Sequence, residues 1–355
     1  MGFEDDDIEW YAIKEISADL THENLDKLKN EVKVLEPLSH PNIVEFADSF
    51  TEGACFYIVL EFCNAGDLND FILNNKLNYL IKLSFTEQIF EGLSYLNERK
   101  IIHRDIKPDN IMINYTQNRY TIKIADFGLS RFCQNVTGEE PYYEFSYSPK
   151  APLYYSAPEC FSKRSITMDN HRNTPKEIVI NGKVTATSDI FSLGCLIMAM
   201  FSETTVPWVE KKPLLAPFII VNPPIQIASA TPEQTTDYIR KVIKIPGQPV
   251  MEKKFQALIV DMVESDWRDR PNAKEARDRM QTLLRSPATN QAGINYPQAG
   301  KGYPEATILQ QPTQQEIITP AAGINYPLAG NNCPAAGNNY PAAGINYPAA
   351  GIQDI

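Results

Sequence analysis

Three short motifs with polar and charged residues stand in a fixed order along the middle of this 355-residue chain. They occupy His103–Asn110, Asp126–Gly128 and Ala157–Glu159. One such motif alone would be interpreted as polar residues in a turn, but that interpretation weakens when three motifs with different chemical roles occur together. Their order and spacing match those of sites that transfer phosphoryl groups, where the protein orients a hydroxyl and holds metal ions against phosphates.

The first motif supplies three candidate catalytic residues. Asp105 would accept the hydrogen of an attacking hydroxyl, and Asn110, in the same loop, would hold a Mg²⁺ ion. Lys107 lies between them, where its ammonium group would neutralise charge on the migrating phosphoryl group. We therefore predict that Asp105, Lys107 and Asn110 are catalytic and that Asn110 is also a metal ligand.

The second motif follows residues 121–125, a short run rich in apolar and β-branched side chains. Such a run predicts a strand, and a strand that ends here would deliver the Asp126 carboxylate to the second metal position. In this interpretation Phe127 is a packing residue and Gly128 is a hinge.

With these motifs, the chain from Trp10 to Leu284 resembles the eukaryotic protein kinase family, in its serine/threonine branch. The resemblance implies an α+β, bilobal fold, with a truncated β-rich N-lobe in residues 1–62 and a mainly helical C-lobe in residues 63–285. It also implies transfer of the ATP γ-phosphate to serine or threonine hydroxyls of protein substrates, with ATP and Mg²⁺ as cofactors.

The resemblance extends to the N-lobe. Residues 11–14 are similar to the third-strand motif of the family, which implies that Lys14 holds the α and β phosphates. Glu31 lies in residues 24–38, where apolar residues recur at intervals of three and four and predict an amphipathic helix. The resemblance makes Glu31 the ion-pair partner of Lys14; the alternative is a surface glutamate on a charged helix.

An aromatic and β-branched run at residues 56–62 resembles the hinge between the lobes. By the family pattern, the backbones of Glu61 and Cys63 meet the adenine and Asp67 faces the ribose. The same pattern gives Asp189 the task of bracing the catalytic-loop backbone, and it pairs Arg270 with Glu159 in a structural ion pair.

Residues 129–156, between the second and third motifs, form the segment that we call the activation segment. Arg104 immediately precedes Asp105, and a guanidinium there commonly pairs with a phosphate on that segment. Four residues of that segment are candidate phosphate acceptors: Thr137, Ser146, Tyr147 and Ser148. For any one of them, an ordinary polar loop residue is the better interpretation.

One departure from the family pattern lies at the N-terminus, where thirteen residues precede Lys14 and Gly2 is the sole glycine among them. We therefore expect the glycine-rich lid over the phosphates to be missing, which would lower nucleotide affinity and rate. An incomplete gene model, a splice form and a degenerate kinase kept as a scaffold compete as explanations. The first is favoured, because a degenerating enzyme has no chemical need to keep the motif residues together.

A second departure lies before the third motif. The serine/threonine branch usually carries Gly-Thr where this chain has Ala151-Pro152, and proline there is typical of tyrosine kinases. Lys107 takes part in the reaction whereas Pro152 only shapes the acceptor groove, so we predict serine/threonine specificity. The alternative to an enzyme is a pseudokinase that acts as a binding module.

The stretch between Glu159 and Asp189 (residues 160–188) is longer than this connection usually is, and we call it the insertion segment. It is expected to lie on the surface and to contain a short hairpin over residues 178–184. The Asn181-Gly182 pair would supply the turn of that hairpin.

Composition narrows the partners and the compartment. A formal net charge of -11 argues against a general binder of nucleic-acid backbones. The six cysteines include no Cys-x-x-Cys pair, and the N-terminus carries no apolar signal-peptide core or myristoylation signal. We expect a monomer in the cytoplasm or the nucleus, without nucleic-acid or membrane partners.

Residues 286–355 carry glycines at a period of seven within units that contain Asn-Tyr-Pro. Proline in every unit prevents a continuous helix and the apolar density is low, so we predict a disordered tail. A passive tail is the favoured interpretation, and multivalent protein docking through the repeats is the alternative. Residues 62–69, 189–194 and 242–246 are in addition similar to serine/threonine kinase 35 and its relatives that interact with PDZ-LIM proteins.

Overall fold

The structure, a computed structural model, describes residues 10–17, 22–132, 142–147, 154–161, 163–169, 174–204, 208–210, 225–226 and 230–285. The tail over residues 286–355 lies outside this range. So do Thr137, Ser148 and the Ala151-Pro152 pair, and the predictions that concern them stay predictions.

The N-terminal part of the chain is a small sheet with one helix. The strands are β1 (Tyr11–Ser17), β2 (Phe46–Glu52) and β3 (Cys55–Glu61), and the helix α1 (His22–Leu35) connects β1 to β2. The sheet is antiparallel in the order β1-β3-β2, with Lys14 opposite Ile58. Strand β3 alternates buried and half-buried residues because it is the central strand and packs one face on the core.

The rest of the described chain is mainly helical. The bounds of its elements are α2 Leu68–Asn74, α3 Tyr79–Glu98, β4 Ile101–Ile102, β5 Ile111–Thr116, β6 Arg119–Ile124, β7 Arg131–Phe132, β8 Tyr142–Tyr147, β9 Lys163–Asp169, β10 Thr174–Thr185, α4 Ala186–Ser202, β11 Trp208–Glu210, β12 Ile225–Gln226, α5 Pro232–Val242, α6 Pro249–Met262 and α7 Ala273–Leu284. Two short 3-10 helices, Pro108–Asn110 and Pro158–Phe161, lie in the first and third motifs. A β-rich part followed by a helical part confirms the predicted α+β kinase fold.

Helix α4 forms the centre of the helical part, and every residue from Thr187 to Phe201 is buried. A helix that is apolar on all sides is stable only when other elements surround it, and α3, α5, α6 and α7 all pack against α4. No helix in the described part of the chain is both long enough and apolar enough to cross a membrane.

Side chains that precede the helices fix where several of them begin. Asp67, Asn78, Thr231 and Asn272 each accept the backbone N–H of the third helical residue, at the starts of α2, α3, α5 and α7. Such caps satisfy backbone donors that have no partner inside the helix. The cap at Asp67 places α2 immediately after the hinge.

The hairpin predicted at residues 178–184 is wrong in its turn. Asn181 and Gly182 lie inside β10, which pairs with β9 over Thr174–Asn181 and with β8 over Ile180–Thr185. The ladder therefore passes from one neighbour to the other at this pair, and the strand continues. A hairpin exists, but it consists of β9 and β10, with residues 170–173 between the two strands.

Candidate active site

The Lys14 side chain contacts two carboxylates from distant parts of the chain. Its Nζ lies 2.8 Å from Oε1 of Glu31 on α1 and 2.9 Å from Oδ1 of Asp126, which follows β6. Strand β1 supplies the cation, and the two anions come from elements 17 and 112 residues away. The structure thus brings together the three groups that sequence analysis placed around the phosphates.

Burial and mutual contact shift the ionisation of these groups. Burial alone would lower the pKa of Lys14, but the carboxylates of Asp126 and Glu31 outweigh it and raise that pKa. Burial also opposes ionisation of Asp126, yet Lys14 holds the pKa of Asp126 below its ordinary value. Glu31 differs, because burial and the nearby Asp126 charge raise its pKa against the pull of Lys14.

The first motif forms a compact loop around Asp105. Lys107 Nζ lies 2.7 Å from Oδ2 of Asp105, and Asn110 Nδ2 donates to the same oxygen at 2.8 Å. Asn110 Nδ2 also donates to the backbone carbonyl of Asp105 at 2.8 Å. Because the amide nitrogen of Asn110 faces Asp105, its amide oxygen is left to ligate a cation, and Oδ1 of Asp105 can accept from an incoming hydroxyl.

Asp189 on α4 binds the backbone of this loop. Its two carboxylate oxygens accept the N–H groups of His103 at 2.7 Å and Arg104 at 2.8 Å. Burial raises the pKa of Asp189, and the hydrogen bonds from these two backbone N–H groups oppose that rise. Arg104 itself has φ 72°, in the left-handed region, so the carboxylate contact fixes a backbone geometry that is otherwise costly.

Sequence analysis did not assign a role to His103. The fully buried ring accepts the Asp105 N–H at Nδ1, at 3.3 Å, and Nε2 lies 3.0 Å from the carbonyl of Ala125. The Nε2–H tautomer satisfies both contacts and links the first motif to the residue before Asp126. Its position directly before Arg104 and Asp105 is the signal that could have indicated this.

The second motif packs tightly against α1 and the first motif. Phe127 is fully buried, and its ring packs edge-on against the His103 ring, with 4.9 Å between the ring centroids. Asp126 has φ 62°. A Cβ atom on Gly128 would lie 3.3 Å from both Oδ1 of Asp126 and Oε2 of Glu31, so the close approach of these carboxylates favours glycine at this position.

The hinge residues lie at the end of β3 and just before α2: Glu61 is the last residue of β3, and Cys63 and Asp67 lie between β3 and α2. The Glu61 N–H donates to the Glu45 carbonyl at 2.9 Å, and the Glu61 carboxylate pairs with Lys123 at 2.8 Å. Among the described residues, no hydrogen bond involves the Cys63 N–H, which is the donor that the family pattern assigns to adenine. The Cys63 thiol is buried, which raises its pKa to about 12 and keeps it neutral. Oδ1 of Asp67 accepts the Asp70 N–H at 2.8 Å and so caps α2, and burial raises the pKa of the Asp67 carboxyl group.

Glu159 and Arg270 form a buried, bidentate ion pair. The two guanidinium nitrogens of Arg270 lie 2.8 Å from the two carboxylate oxygens of Glu159, and Ser188 Oγ donates to Oε1 of Glu159 at 2.6 Å. The pair joins the third motif to the loop before α7, with the backbone of α4 between them. These contacts join two elements of the helical part, as expected for a structural ion pair.

The donors at this site fit Mg²⁺ better than a transition metal. The described residues contain no group of three or more His, Cys, Asp and Glu side chains that could hold a metal. Mg²⁺ is usually held by one or two protein oxygens together with phosphate oxygens and water. The Asp126 carboxylate and the Asn110 amide oxygen supply such a set, and the Lys14 ammonium group suits a phosphate.

Comparison with known proteins shows the family of the chain. The family pattern described as the protein kinase domain matches residues 1–280. This chain belongs to the protein kinase domain family.

Two curated kinases are similar to this chain. The chain is 30% identical over 220 residues to mitogen-activated protein kinase kinase kinase 5 of Arabidopsis thaliana, which covers 61% of this chain and 28% of that protein. It is 32% identical over 211 residues to MAP kinase kinase kinase wis4 of Schizosaccharomyces pombe, with 56% and 13% covered. The chain thus spans less than a third of the length of these relatives. Their names bear on the superfamily and do not test the predicted likeness to serine/threonine kinase 35.

Proposed function

We propose that this protein is a protein serine/threonine kinase that transfers the γ-phosphate of ATP to hydroxyls of protein substrates. One observation carries the proposal: Lys14 contacts both Glu31 and Asp126, while Asp105, Lys107 and Asn110 form a loop fixed to the same Asp126 segment through His103. The family match supports it.

Each group has a defined task in this proposal. Bound Mg²⁺-ATP would supply the phosphoryl group and the charge that neutralises the phosphate oxygens. Lys14 would bind phosphate oxygens, and Glu31 would hold the ammonium group of Lys14 in place. Asp126 and Asn110 would ligate the metal, and Asp105 would accept the proton of the hydroxyl.

Lys107 supports serine/threonine specificity. Its ammonium group lies 2.7 Å from the Asp105 carboxylate, which raises the pKa of Lys107 although burial opposes this. A lysine that stays charged next to the base can stabilise the negative charge on the phosphoryl group. Cytoplasmic or nuclear location, the likeness to serine/threonine kinase 35 and docking through the tail remain proposals beside this one.

A phosphotransfer assay with Mg²⁺-ATP and a generic serine/threonine protein substrate tests the function. Asp105→Asn is the matched control, because asparagine keeps the size of the side chain and removes the proton acceptor. We expect the wild-type protein to incorporate phosphate and the variant to lose at least about a hundredfold in rate. Equal incorporation by both would reject the enzyme and favour the pseudokinase alternative, in which the fold serves as a binding module.

A further inference from the structure

Three strands outside the catalytic centre join two separate parts of the chain. Strand β8 belongs to the activation segment, and β9 and β10 belong to the insertion segment. The sheet has the order β8-β10-β9, and both pairings are antiparallel. Six residue pairs connect β8 to β10, from Ile180 opposite Tyr147 to Thr185 opposite Tyr142. The insertion segment therefore supplies the strand on which the activation segment is paired.

The end of β10 leads directly into the helix whose Asp189 side chain positions the loop that carries Asp105. Thr185, the last residue of β10, is fully buried and its N–H is bonded to Ser188 Oγ at 3.0 Å, in the capping box that begins α4. Helix α4 then carries Asp189, which accepts the two N–H groups of the catalytic loop. Strand β10 also packs against the 3-10 helix Pro158–Phe161, which carries Glu159.

We propose that the β9–β10 hairpin is a positioning element, which holds β8 of the activation segment by strand pairing so that the protein substrate meets Asp105 correctly. This inference rests on the proposed kinase function. An unpaired segment of chain has many conformations, and strand pairing restricts them. The β10 ladder supplies this restriction through backbone hydrogen bonds.

The inference differs in a testable way from the alternative, in which a phosphate group on the activation segment pairs with Arg104 and orders that segment. Two of the predicted phosphate acceptors, Ser146 and Tyr147, lie inside β8, opposite Asn181 and Ile180. A paired backbone does not depend on the charge of these residues. Strand β8 should therefore stay paired with β10 after phosphatase treatment.

Proline substitution in β10 tests the pairing. Gly182 and Lys183 lie opposite Phe145 and Glu144 on β8, beyond the part of β10 that pairs with β9. Neighbouring residues of a strand point their N–H groups to opposite sides, so one of Gly182→Pro and Lys183→Pro removes a donor toward β8. Gly182→Ala and Lys183→Ala are the matched controls, because alanine keeps the backbone N–H.

Two measurements are made on the full chain: hydrogen exchange of residues 142–147, and steady-state kinetics with a peptide substrate. We expect one proline variant to speed exchange and to lower peptide kcat/KM by about tenfold, while the KM for ATP changes by less than about twofold. The alanine variants should resemble the wild type. Phosphatase-treated wild type should keep its exchange protection.

The outcomes separate this inference from the proposed function. Unchanged exchange in both proline variants, or faster exchange with unchanged peptide kinetics, would overturn the inference, as would loss of protection after phosphatase treatment. If thermal unfolding shows that a proline variant does not fold, Glu144→Pro and Phe145→Pro test the same ladder from the β8 side without altering the insertion, because one of the two removes a donor toward β10. A wild type that transfers no phosphate would reject the proposed function, whereas the exchange comparison would still decide whether β10 orders β8.

Discussion

Burial and two nearby carboxylates have opposing effects on the charge of the Lys14 side chain. It lies within 3 Å of two carboxylates, with 21% of its side chain exposed. Burial raises the pKa of Glu31, and because two anions share one cation, the Asp126 charge adds to that rise. A divalent cation on Asp126 would offset this second effect. The geometry is therefore suited to a site that binds metal and phosphate together.

Arg270 gives a prediction about stability. Its side chain is fully buried and bidentate on Glu159, so Arg270→Ala leaves a buried carboxylate with Ser188 as its remaining side-chain donor. We expect a loss of about 3–5 kcal/mol in the free energy of unfolding, measured by urea denaturation. Arg270→Ala combined with Glu159→Ala should cost less than the sum of the two single variants, because both remove the same contact. Additive losses would contradict this account.

Among the helices, the packing of α4 on α6 depends on a glycine. A Cβ on Gly194 would lie 2.6 Å from Cγ1 of Val263. Gly194→Ala should therefore destabilise the protein by about 1–3 kcal/mol in urea denaturation. Val263→Ala should recover part of that loss in the double variant, since it removes the obstructing methyl group. The steric explanation would be contradicted if the double variant lost more free energy of unfolding than the two single variants lose together.

The connection between α1 and β2 gives a pH-dependent prediction. His40 Nδ1 accepts the Asn42 N–H at 3.1 Å, and the ring lies 4.7 Å from Tyr95 on α3. Burial lowers the pKa of His40; the nearby charges are Glu91, Arg99, Lys123 and Glu98.

A lowered pKa in the folded state means that His40 stabilises the fold above its ordinary pKa of about 6.5. That stabilisation is lost as the pH falls through the lowered value, because a proton on Nδ1 breaks the bond to Asn42. Melting temperatures measured from about pH 7.5 to 5 should therefore fall more steeply in the wild type than in His40→Gln. Parallel profiles would show that His40 has no such role.

Across the chain as a whole, the sequence predicted local chemistry better than long-range pairing. The motif residues between positions 103 and 128 could be named because each role depends on spacing within one short motif. The resemblance, and not periodicity, paired Lys14 with Glu31. The hairpin turn at Asn181-Gly182 was wrong because the turn propensity of that pair is local, whereas β8 and β9 both pair with the strand that contains it. The role of His103 depends on Ala125, which lies 22 residues away.

The central claim is that Lys14, Asp105 and Asp126 surround one triphosphate and its metal ion. Calorimetric titration with ATP, with and without Mg²⁺, tests it in the wild type and in Asp126→Asn, which keeps the side-chain shape and the Lys14–Glu31 pair. We predict that Mg²⁺ tightens ATP binding to the wild type by about tenfold or more, and that the variant shows almost none of this gain. An equal gain in both proteins would place the metal elsewhere and contradict the account.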